Sequence, residues 1–146
     1  MSALADVIGQ AMPRLKAISE ERAARRPGAE VWSAKQVLGH LIDSGVNNHA
    51  RFVRAGAEDA LSLPGYDQNA WVAAGGYAQR PWDELVALWA AYQRQIAHVI
   101  GGLSEVQRAR TLSIGGEAVT LGFVADDYSR HQLHHLGQVW ERAEMS

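Results

Sequence analysis

Four stretches of this sequence carry apolar residues three and four positions apart, and this helical period constrains the fold more than any other feature. In the first stretch the repeat consists of Leu4, Ile8, Met12, Leu15 and Ile18. Several long amphipathic helices in one chain bury their apolar faces most readily against each other. The sequence therefore predicts an all-α four-helix bundle, built as one domain from residues 1–146.

Local signals near the ends of these stretches place the four helices. Ser33, with Gln36 three residues later, is a capping-box pattern that starts the second helix. Pro81 suits the first position of the third helix, and Thr120 can cap the fourth. Pro13 should strain or kink the first helix. The predicted helices cover residues 3–25, 34–56, 81–103 and 121–143.

Long connections follow the second and third helices. In the first connection, turn signals on both sides leave room for a short helix over residues 68–74. In the second, the segment "TLSIGGEAVTL" places Gly115 and Gly116 between two short apolar runs. This pattern is compatible with a small β-hairpin and equally with an ordered loop, so both readings stay open.

Composition excludes several classes of function. Lys and Arg number 14 against 16 Asp and Glu, so the sequence lacks the basic excess typical of nucleic-acid binding. The absence of cysteine excludes disulfides, thiolate metal sites and a cysteine nucleophile. We find no signal-peptide pattern and no apolar run of the roughly 20 residues that a membrane span needs. A soluble cytoplasmic protein is therefore expected.

Two histidines occupy positions on the apolar line of the fourth helix. This line runs from Leu121 to Tyr128 and continues at His131 and His135. Residues four apart lie on one face of a helix, so the two imidazoles can aim a nitrogen at one point, as pairs of metal ligands do. His134 lies about 100° around the helix and is less suited to share that point. The pair alone is a weak signal, because buried histidines are often only hydrogen-bonded.

A metal site needs a third protein ligand, and the candidates are His40, His49 and His98. We favour His40, since it belongs to a line of residues along the margin of the apolar face of the second helix. That line comprises Val37, His40, Ser44, Asn47 and Arg51. Beside a core, such a line is typical of a cavity wall, although a solvated helix flank would show the same periodicity.

Three segments together resemble the DinB-like superfamily, which includes the YfiT-like metal-dependent proteins: "VWSAKQVLGHLIDSGVNNHARFVRA", "LPGYDQNAW" and "VTLGFVADDYSRHQLHHLGQV". The resemblance implies a four-helix bundle, a homodimer, and one divalent metal ion per chain, zinc or nickel. It also implies that His40, His131 and His135 hold the metal. Characterised members include S-transferases that use low-molecular-weight thiols, and maleylpyruvate isomerases.

The resemblance favours an enzyme, and the expected reaction is transfer of a small thiol to an electrophile. Three neutral imidazoles leave the charge of a metal uncompensated and leave coordination positions open to substrate. The alternatives are a metal-dependent hydrolase of a small substrate and a non-catalytic metal-binding stress-response protein. No nucleic-acid or membrane partner is expected.

Two residues of the fourth helix could support the histidines. Asp127 precedes His131 by four positions and could orient an imidazole or act as a fourth ligand, or could be an exposed carboxylate. Gln138 lies one turn from His135 and could contact the substrate or a metal-bound water.

Three residues of the second helix are further candidates for substrate binding. Asn47 and Asn48 are unusual in mid-helix, because Asn competes for backbone hydrogen bonds there. Arg51 could hold a substrate carboxylate, although a surface ion pair is the commoner role for such a residue.

Overall fold

Helices dominate the structure, a computed structural model that describes residues 3–144. The helices are α1 (Ala3–Ala17), α2 (Glu20–Ala24), α3 (Ala34–Ala57), α4 (Gln68–Gly75), α5 (Trp82–Gly101), α6 (Glu105–Arg108) and α7 (Leu121–Glu144). The strands are β1 (Leu61–Leu63), β2 (Thr111–Ile114) and β3 (Glu117–Thr120). The four long helices α1, α3, α5 and α7 correspond to the four predicted stretches, so the predicted four-helix bundle is confirmed.

The core lies where α3 packs on α5 and α7 and where α1 packs on α5. Its largest fully buried side chain is Trp89, which occupies the apolar face of α5. The Trp89 indole N–H donates to Oε1 of the buried Gln132 at 3.1 Å, so this aromatic residue joins α5 to α7. Each fully buried Leu or Phe in such a core contributes about 1.5–3 kcal/mol of transfer free energy. The contact between Trp89 and Gln132 holds α5 against α7.

The predicted first helix is two helices. Helix α1 ends at Ala17, and the side chain of Ser19 accepts a hydrogen bond from the Arg22 N–H at 3.2 Å to start α2. A serine cap competes with continued helix at this point. Pro13 lies inside α1, one turn before its end. Periodicity alone missed the break, because Ile18 still matches the apolar spacing.

The other helix ends match their local signals closely. Ser33 and Gln36 form the predicted capping box at the start of α3. The Thr120 hydroxyl oxygen accepts the Phe123 N–H at 3.1 Å at the start of α7. Pro81 is the residue before the first turn of α5, one position earlier than predicted.

The connections contain a small sheet in the order β1-β2-β3. The hairpin reading is confirmed: β2 pairs antiparallel with β3, and Gly115 and Gly116 have φ of 57° and 89°. Two positive φ values in succession are the geometry of the two-residue hairpin turn that favours glycine. Strand β1 adds to the hairpin in parallel with β2, a pairing that the sequence analysis did not predict. The predicted short helix is α4, and α6 is an additional turn of helix.

No helix within residues 3–144 combines the length and the apolar character that crossing a membrane would require.

Candidate functional site

Three imidazoles meet between α3 and α7. One ring nitrogen from each of His40, His131 and His135 lies within 4.8 Å of the others. The Nε2 atoms of His131 and His135 are 3.0 Å apart. The ring centroid of His40 lies 4.7 Å from that of His135 and 5.9 Å from that of His131. We call these three residues the histidine cluster.

The backbone explains this convergence. His131 and His135 are one turn apart in α7, and α3 is the helix against which α7 packs most extensively. His40 lies on α3, where Leu38 and Leu41 are fully buried on either side of it. The apolar packing of the two helices therefore brings an imidazole of α3 against the pair from α7.

Burial controls the charge of the cluster. The His40 side chain is 1% exposed, and neither of its ring nitrogens has a hydrogen-bond partner among the described residues. Desolvation lowers the pKa of His40 to about 4, and repulsion from His135 and His131 adds to this effect. Burial also lowers the pKa of His131. Two of the three imidazoles are thus held neutral at pH 7, which is the form that ligates a metal.

The donor set fits a divalent transition metal. Imidazole suits zinc and nickel, and metal–nitrogen bonds of about 2.0–2.1 Å in tetrahedral geometry place neighbouring nitrogens about 3.3 Å apart. The separation of 3.0 Å between the Nε2 atoms of His131 and His135 is close to this value. A buried imidazole with two unpartnered nitrogens is costly, and a metal would satisfy one of them. The histidine cluster therefore fits the ion that the sequence predicts.

A cavity of about 330 Å³ adjoins the cluster. His40 and His131 form part of its wall, and exposed residues such as Phe123 and Glu117 form its rim. The polar lining includes Ser44, Asn48, Arg51, Tyr66 and Asp127, and the apolar lining includes Ile114, Val119, Val124 and Phe123. A larger cavity of about 660 Å³ between α1 and α5 contains no histidine, so the smaller one is the candidate site.

Comparison with known proteins identifies the family. The family model of the DinB superfamily matches residues 3–139. This chain belongs to the DinB superfamily. The three-histidine cluster on a four-helix bundle is thus found in a member of the family that the sequence resembles.

Two solved structures share the fold of this DinB-superfamily chain. YfiT from Bacillus subtilis, described as a probable metal-dependent hydrolase with an unusual four-helix bundle topology, superposes with a TM-score of 0.84 at 21% identity. The match covers 96% of this chain and 81% of YfiT. A DinB-like protein of Bacillus subtilis, YjoA, gives a TM-score of 0.66 at 16% identity, over 93% of this chain and 82% of YjoA.

One curated relative is similar in sequence. It is a proposed metal-dependent hydrolase of Oceanobacillus iheyensis, 26% identical over 109 residues, which are 74% of this chain. The matched region spans 63% of that protein's length.

Gln138 touches the cluster directly. Its side-chain Oε1 lies 2.9 Å from Nδ1 of His135. Because an amide oxygen only accepts hydrogen bonds, this contact places the imidazole hydrogen on Nδ1 and leaves the Nε2 lone pair facing His131. Gln138 thus orients a histidine of the cluster, which agrees with the prediction that it could support the histidines.

The remaining predicted site residues differ in position. Asp127 lines the cavity and forms an ion pair with Arg130, so it is not simply an exposed carboxylate. It does not belong to the group of side chains that could hold a metal, so it is not placed as a fourth ligand. Asn48 and Arg51 also line the cavity. The Asn47 amide instead donates to the Asp43 carbonyl of its own helix at 2.9 Å, and Asn47 is not among the lining residues.

The other histidines lie outside the cluster. His134 is exposed, and its ring stands beside that of His135 with a centroid separation of 5.1 Å. Nδ1 of His49 lies 3.3 Å from the Tyr92 hydroxyl. His98 lines shallow pockets away from the cluster. These positions agree with the sequence argument, which separated His134 from the His131/His135 pair and preferred His40 to His49 and His98.

Sequence reasoning missed a buried pair beside the cluster. The Tyr77 hydroxyl donates to Oδ1 of Asp43 at 2.5 Å, and Asp43 is 3% exposed. The ring of Tyr77 fits against the bare backbone of Gly39 and Gly75. Burial raises the pKa of the Asp43 carboxyl. A glycine inside a helix usually has a packing reason, so Gly39 was the signal that could have revealed this contact.

Tyr66 was also missed as a wall of the cavity. It forms a hydrogen bond with Ser44, and burial raises its pKa. Its ring packs edge-on against Trp71 of α4 with centroids 5.5 Å apart. Tyr66 lies in a connection without helical period, so spacing carried no information about where its side chain points.

Proposed function

We propose that this chain binds one divalent metal ion through His40, His131 and His135 and acts as a metal-dependent hydrolase of a small substrate. The observation that supports the proposal most strongly is that the histidine cluster forms part of the wall of an open cavity. The names of YfiT and of the relative from Oceanobacillus iheyensis point to the same class of reaction.

The histidine cluster is more typical of a catalytic metal site than of a structural metal site. Structural zinc sites use four protein ligands, whereas catalytic sites use three and keep a position open. Among the described residues, the group of metal-ligating side chains has three members, and Asp127 is not one of them. A bound divalent ion would supply a Lewis acid that lowers the pKa of a coordinated water or thiol and polarises a substrate oxygen.

The chain's own residues would perform the remaining tasks. His40 and His131, held neutral by burial, would add no charge to the site, and Gln138 would keep His135 in the ligating tautomer. The Asp127 carboxylate lies on the cavity wall one turn before His131 and could accept the proton released from an attacking water. The apolar wall around Val124 would keep bulk water from the back of the site.

The proposal is tested by removing and restoring the metal. Chelator-treated untagged protein should lose activity on a panel of small esters and amides, and reloading with zinc or nickel should restore it. Elemental analysis of the reloaded protein should give about one ion per chain. Hydrolysis that survives complete removal of the metal, or protein that takes up no ion, would contradict the proposal.

Transfer of a small thiol, as implied by the sequence resemblance, stays a prediction, because no residue of the cavity selects sulfur over oxygen. Cobalt at the site provides the test. A coordinated thiolate gives a sulfur-to-metal charge-transfer band, and the chain has no cysteine that could produce one. The band should appear only with an added thiol, and no band with any common cellular thiol would favour hydrolysis.

A further inference from the structure

Arg51 places a cation in the same cavity as the histidine cluster. It is half-buried on α3, and its guanidinium donates to the Asn48 Oδ1 at 3.2 Å and to the Pro64 carbonyl at 3.4 Å. Burial lowers the pKa of Arg51, but a guanidinium remains charged at neutral pH. A guanidinium has five N–H donors, so these two contacts leave donors available to a ligand.

No ion pair within residues 3–144 neutralises Arg51. The ion pairs in this part of the chain use other cations, such as Arg108 with Asp126 and Arg110 with Asp59. Its two hydrogen-bond acceptors are an amide and a backbone carbonyl, which are both uncharged. A partly desolvated cation without an anion is costly to the fold, and residues of this kind commonly bind an anionic ligand.

The cavity joins Arg51 to the cluster along one helix. His40, Ser44 and Asn48 are spaced four apart on α3, and Arg51 follows three positions later, so all four lie along one face and line the cavity. The rise of the helix separates the Cα atoms of His40 and Arg51 by about 16 Å. The Arg51 side chain covers part of this distance, and a ligand that contacts both ends must span the remainder.

The other charged groups of the cavity limit the charge of the ligand. Asp127 and Glu117 also line it, and Asp127 is paired with Arg130 outside. Arg51 is the one lysine or arginine among the lining residues of this cavity in the described chain. The lining thus contains one cation and two carboxylates, which favours a monoanion such as a carboxylate over a phosphate dianion as the ligand. Phe123, which is 53% exposed at the rim, offers an apolar surface for the middle of the ligand.

We propose that Arg51 binds the terminal carboxylate of an elongated substrate whose reacting group lies at the histidine cluster. Arg51 would then determine specificity, selecting substrates by charge and by the distance from the carboxylate to the reacting bond. This inference rests on the proposed function, since it uses the metal site as the other anchor of the substrate.

A binding assay with a matched pair of probes tests it. The first probe, suberic acid monohydroxamate, carries a metal-binding hydroxamate at one end and a carboxylate at the other. The second probe has a carboxamide in place of the carboxylate and therefore lacks the negative charge. Isothermal titration of the zinc-loaded chain should show the carboxylate probe binding about tenfold more tightly or better, since charge-assisted hydrogen bonds to arginine are strong. The corresponding phosphonate probe should bind no more tightly than the carboxylate.

Two variants test whether Arg51 is the residue that causes the preference for the carboxylate probe. Arg51→Gln should abolish the preference for the carboxylate, because the affinity of the carboxylate probe should fall to that of the carboxamide probe. Arg54→Gln, which removes an exposed arginine from the same helix outside the cavity lining, should keep the preference. If Arg51→Gln fails to fold, the probe pair on the unaltered chain still decides whether the cavity recognises a carboxylate.

The outcomes separate this inference from the proposed function. Binding of both hydroxamates with equal affinity overturns the carboxylate site and leaves the metal site standing. A preference that survives in Arg51→Gln also overturns it, as does tighter binding of the phosphonate. Failure of every probe to bind the zinc-loaded chain argues against an open metal site, and the inference then fails with the proposed function.

Discussion

Replacing Gly39 with alanine should destabilise the protein, although alanine is the better helix former. A Cβ atom at Gly39 would lie 2.1 Å from Cδ2 and 2.3 Å from Cγ of Tyr77. These distances are far inside van der Waals contact, so the Tyr77 ring must move. The movement would break its 2.5 Å hydrogen bond to Asp43 and leave that buried carboxyl with no described partner.

The stabilising and destabilising contributions of this substitution to the free energy of unfolding differ in size. Glycine to alanine in a helix interior gains about 1 kcal/mol. Loss of a hydrogen bond to a charged group costs about 1.5–3 kcal/mol, and displacement of a packed aromatic ring costs about 1–3 kcal/mol more. Gly39→Ala should therefore lower the free energy of unfolding by about 1.5–5 kcal/mol. For a chain of this length that corresponds to a fall in Tm of about 5–15 °C.

Urea and thermal unfolding of metal-free protein, followed by circular dichroism, measures this effect without contributions from metal binding. Gly9→Ala in α1 is the matched control, because a Cβ there meets no atom within 4 Å and should stabilise by up to about 1 kcal/mol. The decisive variant is Gly39→Ala combined with Tyr77→Ala. If the clash with Tyr77 is the cause, the glycine substitution should no longer destabilise in that background. An equal loss with and without Tyr77 would refute the reasoning.

Three further predictions concern the cluster and the assembly. His131→Ala should abolish metal binding in elemental analysis while His134→Ala retains it, and the reverse result would show that the wrong face of α7 was assigned to the site. The metal-free protein should lose stability in urea titrations as the pH falls from 6.5 through about 4, because the unfolded chain protonates His40 before the folded chain does. This shift is worth about 3 kcal/mol, and a His40→Gln variant should lack that part of the slope. The homodimer remains a prediction, and light scattering at micromolar concentration should give twice the chain mass of 15.9 kDa; a monomer mass would contradict it.

The spacing of apolar residues by three and four positions predicted the four long helices α1, α3, α5 and α7. The spacing of apolar residues in α7 continued through His131 and His135, and the structure places both rings where the spacing put them, against α3. His40 was favoured because it belongs to a line of residues along the margin of the apolar face of the second helix, and the structure buries its side chain. A helix fixes side-chain direction by residue number, so positions within long helices could be predicted from sequence alone.

The walls of the cavity could not be predicted in this way. Tyr66, which lines the cavity, lies in a connection whose path depends on tertiary contacts such as the pairing of β1 with β2. The hydrogen bond of Tyr77 to Asp43 likewise depends on the close approach of Tyr77 to Gly39. The break at Ser19 was missed for a related reason, since a local cap overrode an apolar spacing that continued through it. For Asn47 the position on the helix was predicted correctly, but the direction of the side chain was not. Its amide donates to a backbone carbonyl of the same helix.

The long helices and the connections contribute different parts of the candidate site. The chemistry of the site rests on α3 and α7, which hold the histidine cluster and Arg51 on rigid elements. The shape of the cavity between the two anchors rests on the sheet and on Tyr66, where Ile114 and Val119 form one wall. Connections tolerate substitution and insertion far better than packed helices do. Substitutions in the connections should therefore change the shape of the cavity, while the histidine cluster and Arg51, which lie on the packed helices, stay in place.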